Sequence, residues 1–146
     1  NNYAFFSEPV PAGNMIATAE ETSRFFQMLL DYGRYGAQQI VSKLAVHRAT
    51  WETSPHRLDN TLKVPLRYSA GMMLGGEPFG LFGPHTGSAF GHLGLINIFA
   101  WADPERDLSV ALLSTGKPLL AHNAPALIQL LREINNQIPR GRRTRQ

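Results

Sequence analysis

The stretch Phe90-Gly91-His92-Leu93-Gly94 precedes two segments rich in apolar, β-branched and aromatic residues, residues 95–102 and 108–114. Such runs predict β-strands. Between them, residues 103–107 read Asp-Pro-Glu-Arg-Asp, a composition typical of a tight turn. The sequence therefore predicts an antiparallel hairpin, preceded by a further short strand at residues 89–94.

A helix is predicted before this region, beginning after Thr18. Glu21 stands three residues beyond Thr18, the spacing of a capping box. Gly33 is a plausible end of the helix. Apolar side chains at helical spacing predict one buried face, made of Phe25, Met28, Leu29 and Tyr32.

The middle of the chain contains a shorter helix and then a change of character. Ser42 is a candidate N-cap for a helix over residues 43–52, which Pro55 would close. Residues 53–66 are polar and rich in turn formers, which predicts a connection. Residues 68–74 predict a strand, and the glycine-rich residues 75–87 predict a loop.

A last helix is predicted from an N-cap at Asn123, with Pro125 in its first turn and Pro139 at its end. Its apolar stripe consists of Leu127, Leu130, Leu131, Ile134 and Ile138. The hairpin's inner face is the natural partner of this stripe. The order of elements predicts an α+β fold, an antiparallel sheet with flanking helices.

Length and charge narrow the class of protein. The 146 residues suit one domain over residues 1–139, with helices and loops in residues 1–66 and strands plus the last helix in residues 67–139. The basic tail, residues 140–146, carries four arginines, without which the net charge falls from +3 to −1. We interpret the tail as solvated, although an acidic membrane or RNA anchor remains an alternative, and nucleic-acid binding by the body is disfavoured.

Several kinds of chemistry find no support in the sequence. There is no cysteine, no apolar run long enough to span a bilayer, and no pair of its five histidines at metal-ligand spacing, so we expect no metal and no cofactor. A Ser-x-x-Lys spacing occurs once, at residues 114–117, where Gly116 and Pro118 disfavour the helix that would bring lysine to serine. We interpret that spacing as coincidental. Asn14 and Asn97 are interpreted as structural.

Four blocks of sequence, in this order, resemble one enzyme superfamily. They are Pro-Ala-Gly-Asn-Met-Ile-Ala-Thr-Ala-Glu at residues 11–20, Arg-Phe-Phe-Gln-Met-Leu-Leu at 24–30, the Phe-Gly-His-Leu-Gly stretch, and the Asp-Pro-Glu-Arg turn. The chain resembles bacterial serine β-lactamases and penicillin-binding proteins, in the branch of class C β-lactamases, D-aminopeptidases and β-lactamase-fold esterases. The resemblance implies the C-terminal segment of an α/β/α sandwich.

The resemblance also implies where chemistry resides. The family uses a Ser-x-x-Lys nucleophile motif, a Tyr-x-Asn-like motif, and a third motif of Lys-Thr-Gly or His-x-Gly type on a strand lining the pocket. Only the third is present, as His92, Leu93 and Gly94, where the histidine would contact substrate and a strand N–H would serve an oxyanion hole. A second match, His85, Thr86 and Gly87, is the alternative third motif. Because Leu93 is apolar where a polar residue could bind a substrate carboxylate, it favours an ester as the expected substrate.

Two readings of function follow. In the first, the chain is part of a serine hydrolase acting on a β-lactam, ester or D-amino-acid peptide, is inactive alone, and needs a missing N-terminal polypeptide. In the second, it is a non-catalytic module that assembles with a second copy of itself or binds a ligand, because a truncated sheet leaves a bare strand edge. The sequence fixes neither the cellular compartment nor the substrate.

Overall fold

A computed structural model describes residues 7–10, 13, 15–94, 98–114 and 120–141, with the backbone alone for residues 120–124. Its helices are α1 (Ala19–Leu30), α2 (Lys43–Thr50) and α3 (Leu120–Gln137). The strands in chain order are β1 (Arg34–Tyr35), β2 (Gln38–Gln39), β3 (Glu52–Leu58), β4 (Pro65–Ser69), β5 (Met73–Leu74), β6 (Phe79–Gly80), β7 (Gly83–Pro84), β8 (Phe90–Leu93), β9 (Phe99–Asp103) and β10 (Leu108–Leu112).

Six of these strands form one antiparallel sheet in the order β10-β9-β8-β5-β4-β3. β1 with β2 and β6 with β7 form two small separate hairpins. The predicted hairpin is confirmed, since β9 pairs with β10 and Leu108 lies opposite Asp103. The short strand predicted before it is confirmed as β8.

Two of the three predicted N-caps, Thr18 and Ser42, are confirmed. The Thr18 hydroxyl accepts a hydrogen bond from the Glu21 amide at 3.1 Å, and the Glu21 carboxylate accepts one from the Thr18 amide at 2.8 Å. Ser42 accepts from the Ala45 amide at 3.2 Å. The first amides of a helix have no hydrogen-bond partner within the helix. Capping side chains such as these supply the missing partners. After α1, Gly33 has a φ of +83°, and a Cβ there would collide with the Val41 carbonyl oxygen.

The predicted buried face of α1 is corrected in part. Met28 and Leu29 are buried as expected, but Phe25 and Tyr32 are about half exposed. Phe26 and Leu30 take their places against the sheet. Both sets have helical spacing, so only the position of the sheet decides which one is buried.

The prediction of a polar connection over residues 53–66 is also wrong in part. Glu52–Leu58 is a strand that follows α2 directly, and Pro55 lies within it, so α2 ends at Thr50 without a proline. Residues 65–66 are likewise strand rather than loop, and residues 68–74 are two strands joined by a turn rather than one. β3 lies at the edge of the sheet, where a strand can tolerate proline and polar side chains on most positions.

A hydrogen-bonded turn joins β3 to β4. The Asp59 carboxylate accepts from the Thr61 and Leu62 amides, both at 2.8 Å, and from the Tyr68 hydroxyl at 2.7 Å. Hydrogen bonds to its ionised form hold the pKa of Asp59 below its usual value, the Leu62 amide most strongly. Burial, together with the bond to the Asp59 carboxylate, raises the pKa of Tyr68 to about 12.

This environment predicts a loss of stability at high pH. The phenol of Tyr68 ionises near pH 10 in the unfolded chain but only near pH 12 in the folded one. The unfolded state therefore releases its proton first, and the free energy of unfolding should fall as the pH rises from about 10 to about 12. A phenolate absorbance titration should show a late component from Tyr68 near pH 12.

The Tyr68→Phe variant is the control, and it should lack both the late titration and that part of the stability loss. A Tyr68 phenol that titrates at the ordinary tyrosine pKa of about 10 would contradict the prediction.

Helices cover both faces of the sheet. On the α1 face, Ala100 and Ala102 of β9 pack with Phe26 and Leu29 of α1. On the opposite face, which we call the α3 face, Phe99 and Trp101 pack with Leu131 of α3. The alternation along β9 is the two-residue period of a strand buried on both sides. The predicted α+β fold and the packing of the last helix on the hairpin are confirmed.

The start of α3 differs from the prediction. The helix begins at Leu120, so Asn123 is not its N-cap and Pro125 lies inside it. Of the predicted stripe, Leu131 is buried and Leu127 and Ile134 pack partly against the core, whereas Leu130 is 44% exposed. Every described helix is too short or too polar to cross a membrane.

Candidate active site

His92 lies on β8, near the middle of the sheet. Antiparallel pairing sets it opposite Ala100, so its side chain is on the α1 face. The pairing of Met73 with Gly91 brings Met72 alongside on the other flank. The His92 side chain is exposed, and it therefore stands at the solvent-facing surface of an otherwise buried strand.

One hydrogen bond fixes the state of the imidazole. Nδ1 of His92 lies 2.7 Å from the carbonyl oxygen of Leu93. Because a carbonyl only accepts, Nδ1 must carry the proton, and in the neutral ring Nε2 is the acceptor. Among the described residues Nε2 has no hydrogen-bond partner, so it can accept a proton or a hydrogen bond from a bound molecule.

The backbone around His92 is closely packed on one flank and open on the other. A Cβ at Gly91 would collide with the Ala100 carbonyl oxygen, which requires glycine where β8 meets β9. On the β5 side, pairing stops at Gly91, and no described strand pairs with His92 or Leu93 there. At the end of β8 the Gly94 amide donates to the Ile98 carbonyl at 2.6 Å.

Leu93 occupies a different place from the one the motif suggested. Its side chain is buried on the α3 face, opposite to His92. Only its backbone can face a molecule bound beside His92. The apolar side chain at this position therefore gives no information about the polarity of a substrate. Leu93 no longer supports the prediction of an ester substrate.

Polar side chains two strands away are paired. Arg67 of β4 donates to both carboxylate oxygens of Glu52, at 3.1 and 2.7 Å, and to the Gly75 and Gly87 carbonyls. The bond to Arg67 holds the pKa of Glu52 below its usual value. Ser69, a hydroxyl on the same strand, donates to the Ala49 carbonyl at 2.6 Å and accepts from the Met72 amide. These groups hold the backbone in place and are not available as a nucleophile.

The alternative third motif lies in the loop between β7 and β8, at the other end of β8 from His92. His85 Nδ1 is 2.8 Å from Glu77, and its backbone φ is +54°. Thr86 is fully buried and donates to the Gly83 carbonyl at 3.0 Å. The bond to His85 holds the pKa of Glu77 below its usual value. These contacts close the loop on itself.

The other candidate residues that the structure describes lie on elements other than β8. His47 is exposed on α2 and stacks on Trp51 with ring centroids 5.0 Å apart. His56 lies on β3, and the described part of the chain contains no group of three or more His, Asp or Glu residues that could hold a metal ion. Asn14, Asn97, Lys117 and the side chain of His122 lie outside the described residues.

Arg140, the first residue of the basic tail, forms ion pairs. Its Nη1 lies 3.2 Å from Glu105 and 3.4 Å from Glu77. These pairs join the chain just after α3 to the turn after β9 and to the segment between β5 and β6. The rest of the tail from residue 142 lies outside the described residues.

Comparison with known proteins agrees with this arrangement. A sequence model of the family described as "Beta-lactamase" matches residues 1–133. The chain belongs to the beta-lactamase family. The esterase/beta-lactamase LipL of Mycobacterium tuberculosis is 31% identical over 103 residues, which are 70% of this chain and 23% of that protein.

Solved structures of the beta-lactamase fold align with most of the chain. A penicillin-binding protein homologue from Caulobacter crescentus is 25% identical with a TM-score of 0.68, covering 81% of this chain and 31% of that one. A family VIII carboxylesterase is 22% identical with a TM-score of 0.70, covering 88% and 34%. The chain thus has the fold of this hydrolase family and spans between about a quarter and a third of the length of these relatives.

Proposed function

We propose that this chain supplies the third-motif strand of a β-lactamase-fold serine hydrolase, and that His92 contacts the acyl substrate there. The observation that carries the proposal is the fixed imidazole of an exposed residue, whose Nδ1–H is bound to the Leu93 carbonyl and whose Nε2 has no hydrogen-bond partner among the described residues. A histidine held in this way can accept a proton or, once protonated, bind a carboxylate.

The backbone of β8 has a second role in the proposal. β5 pairs with β8 only as far as Gly91, so His92 and Leu93 lie beyond the paired residues. A main-chain N–H on that edge of β8 therefore has no partner strand among the described residues. Such a donor could stabilise the oxyanion of a tetrahedral intermediate. The substrate is a small acyl compound, an ester, a β-lactam or a D-amino-acid peptide.

The nucleophile comes from elsewhere in this proposal. The one Ser-x-x-Lys spacing runs into residues 115–119, outside the described residues, and it has Gly116 and Pro118 where a helix is needed. In this proposal the attacking serine and its lysine lie outside these 146 residues, in a further stretch of polypeptide, and the 146 residues alone do not hydrolyse the substrate. The surface for that polypeptide includes the apolar side chains that α1, α2 and the segment before α1 expose, among them Met15, Ile16, Phe25 and Leu44.

A hydrolysis assay with the histidine varied tests the role of His92. The 146 residues are assayed alone and together with the stretch of polypeptide that carries the Ser-x-x-Lys motif, and hydrolysis of a p-nitrophenyl ester and of nitrocefin is followed. We expect no turnover by the chain alone, turnover by the pair, and a fall in kcat of about 100-fold in His92→Asn.

The control is Asn136→Ala, which changes an exposed polar side chain on α3, outside the surface that α1 and α2 offer, and should leave kcat unchanged. A covalent serine adduct on the chain alone, or full activity of His92→Asn in the pair, would contradict the proposal.

A second candidate function is a non-catalytic module that pairs with a second copy of itself. The observation in its favour is β10, which ends the sheet with no further partner strand among the described residues. An exposed strand edge is a template for another chain. Light scattering after size exclusion measures the molecular mass in solution and separates the two candidates. A stable homodimer that persists when the nucleophile-bearing polypeptide is added favours the module. A monomer at micromolar concentration counts against it.

A further inference from the structure

Ile98 lies just before β9, on the same face of the sheet as His92. The next residue, Phe99, packs on the α3 face, so the alternation of the strand turns the Ile98 side chain to the α1 face. Phe99 pairs with Leu93, and the Gly94 amide donates to the Ile98 carbonyl at 2.6 Å. Ile98 is therefore opposite Gly94, and it is the diagonal neighbour of His92 across the two strands.

The side chain of Ile98 covers Gly94. A Cβ at Gly94 would come within 3.2 Å of the Ile98 Cβ and 3.8 Å of its Cγ2. Diagonal neighbours in a sheet are about 7–8 Å apart, a separation that long side chains bridge. Because Gly94 has no side chain, β8 places nothing between Ile98 and the His92 imidazole on this face. A molecule in contact with the imidazole therefore also meets Ile98.

The Ile98 side chain is not needed to fill the core. It is partly exposed, and it belongs to neither of the two clusters of buried apolar side chains that the described residues form on the α1 and α3 faces. A partly exposed, β-branched apolar side chain beside a candidate substrate-binding histidine is thus available to a bound molecule.

The other positions around His92 on this face are also apolar. Extending the pairing of β5 and β8 by one residue sets Met72 opposite His92, and Met72 packs against the cluster on the α1 face. None of the side chains opposite or diagonal to His92 on β9 and near β5 is charged, and besides Ile98 they are Ala100, Ala102, Met72 and Leu74. These surroundings favour an uncharged alkyl group beside the imidazole.

We propose that Ile98 determines which acyl groups the enzyme accepts, because its side chain limits the size of the alkyl group that can lie beside His92. Ile98 can have this role only if His92 contacts the acyl substrate, so it rests on the proposed function. One methylene group in an apolar pocket changes the selectivity of an enzyme by about 10–200-fold, so a shortened side chain should have a measurable effect.

A graded series at position 98 tests this role. Ile98→Val and Ile98→Ala are made in the 146 residues and assayed together with the stretch of polypeptide that carries the Ser-x-x-Lys motif. The substrates are p-nitrophenyl acetate and p-nitrophenyl pivalate, which share a leaving group and differ in the bulk of the acyl group. We expect the ratio of kcat/KM for pivalate to that for acetate to rise through the series, by about tenfold or more in Ile98→Ala.

The ratio separates a contact with the acyl group from a structural defect. A smaller folded fraction lowers kcat/KM for both esters by the same factor and leaves their ratio unchanged. Ile128→Ala is the matched control, because it removes the same atoms from a 43% exposed isoleucine on α3, the helix that packs on the opposite face of the sheet from His92. Its ratio should equal that of the parent, and unfolding curves check that all variants fold.

Two results would overturn the role of Ile98 alone. They are a ratio that stays at the parent value in Ile98→Ala, and an equal change of the ratio in Ile128→Ala. Both can occur while His92→Asn loses its activity as expected. Full activity of His92→Asn, or no turnover when the two stretches of polypeptide are combined, would overturn the proposed function and the role of Ile98 with it.

Discussion

Replacing Arg106 by alanine is expected to lower the free energy of unfolding by about 3–5 kcal/mol, because it leaves a buried carboxylate without its partner. Arg106 and Asp103 form an ion pair at 2.6 Å with side chains only 4% and 1% exposed. Arg106 also donates to the Ile138 carbonyl at 3.0 Å and to the His85 carbonyl at 2.8 Å. One side chain therefore joins the β9–β10 turn, the end of α3 and the loop before β8.

Chemical denaturation followed by circular dichroism measures this effect. Arg140→Ala is the matched control, since its guanidinium is 45% exposed and its ion pairs at the surface contribute little. The double variant Asp103→Ala/Arg106→Ala should lose less than the sum of the single variants, because neither charge is then left alone. An Arg106→Ala variant as stable as Arg140→Ala would show that the buried pair is not needed.

Gly91→Ala is expected to destabilise the chain by about 3 kcal/mol and to alter the surroundings of His92. The added Cβ would overlap the Ala100 carbonyl oxygen and come within 2.5 Å of the Trp101 Cα, both on the adjacent strand β9. Backbone atoms cannot move aside as a flexible side chain can, so β8 and β9 must separate. His92 is the next residue along β8, and its pairing with Ala100 would be disturbed directly.

Gly71→Ala is the control for this substitution. A Cβ at Gly71 meets its nearest neighbour, the Ala49 carbonyl oxygen, at an ordinary 3.6 Å, so stability should change little. Thermal unfolding compares the two variants, and the His92 ring resonances report the local change. Unaltered stability and resonances in Gly91→Ala would mean that β8 and β9 can separate at no cost.

Local signals in the sequence located several elements correctly. The Thr18–Glu21 capping box, the Ser42 N-cap and the turn at residues 103–107 each depend on residues three to five positions apart. Their hydrogen bonds are made within one turn of chain, so no distant partner is needed to predict them. The family resemblance, rather than a local signal, implied that the His-x-Gly motif lies on a strand, and His92 and Leu93 do lie on β8.

Long-range pairing decided what the sequence could not. Glu52–Leu58 resembles a loop because it is polar and contains Pro55, and it becomes a strand only because β4 provides one edge to pair with. The choice between two helical stripes on α1 was made by the sheet beneath it. A pattern of single residues does not contain the partner that selects among such alternatives.

The sequence alone determined the fold class, the family resemblance and the choice of His92 as the residue to examine. Only the tertiary structure decided that the Leu93 side chain faces away from His92 and that the Leu93 carbonyl fixes the imidazole. The reason is physical. Which face of a strand meets solvent, and which meets a helix, depends on layers packed from distant parts of the chain.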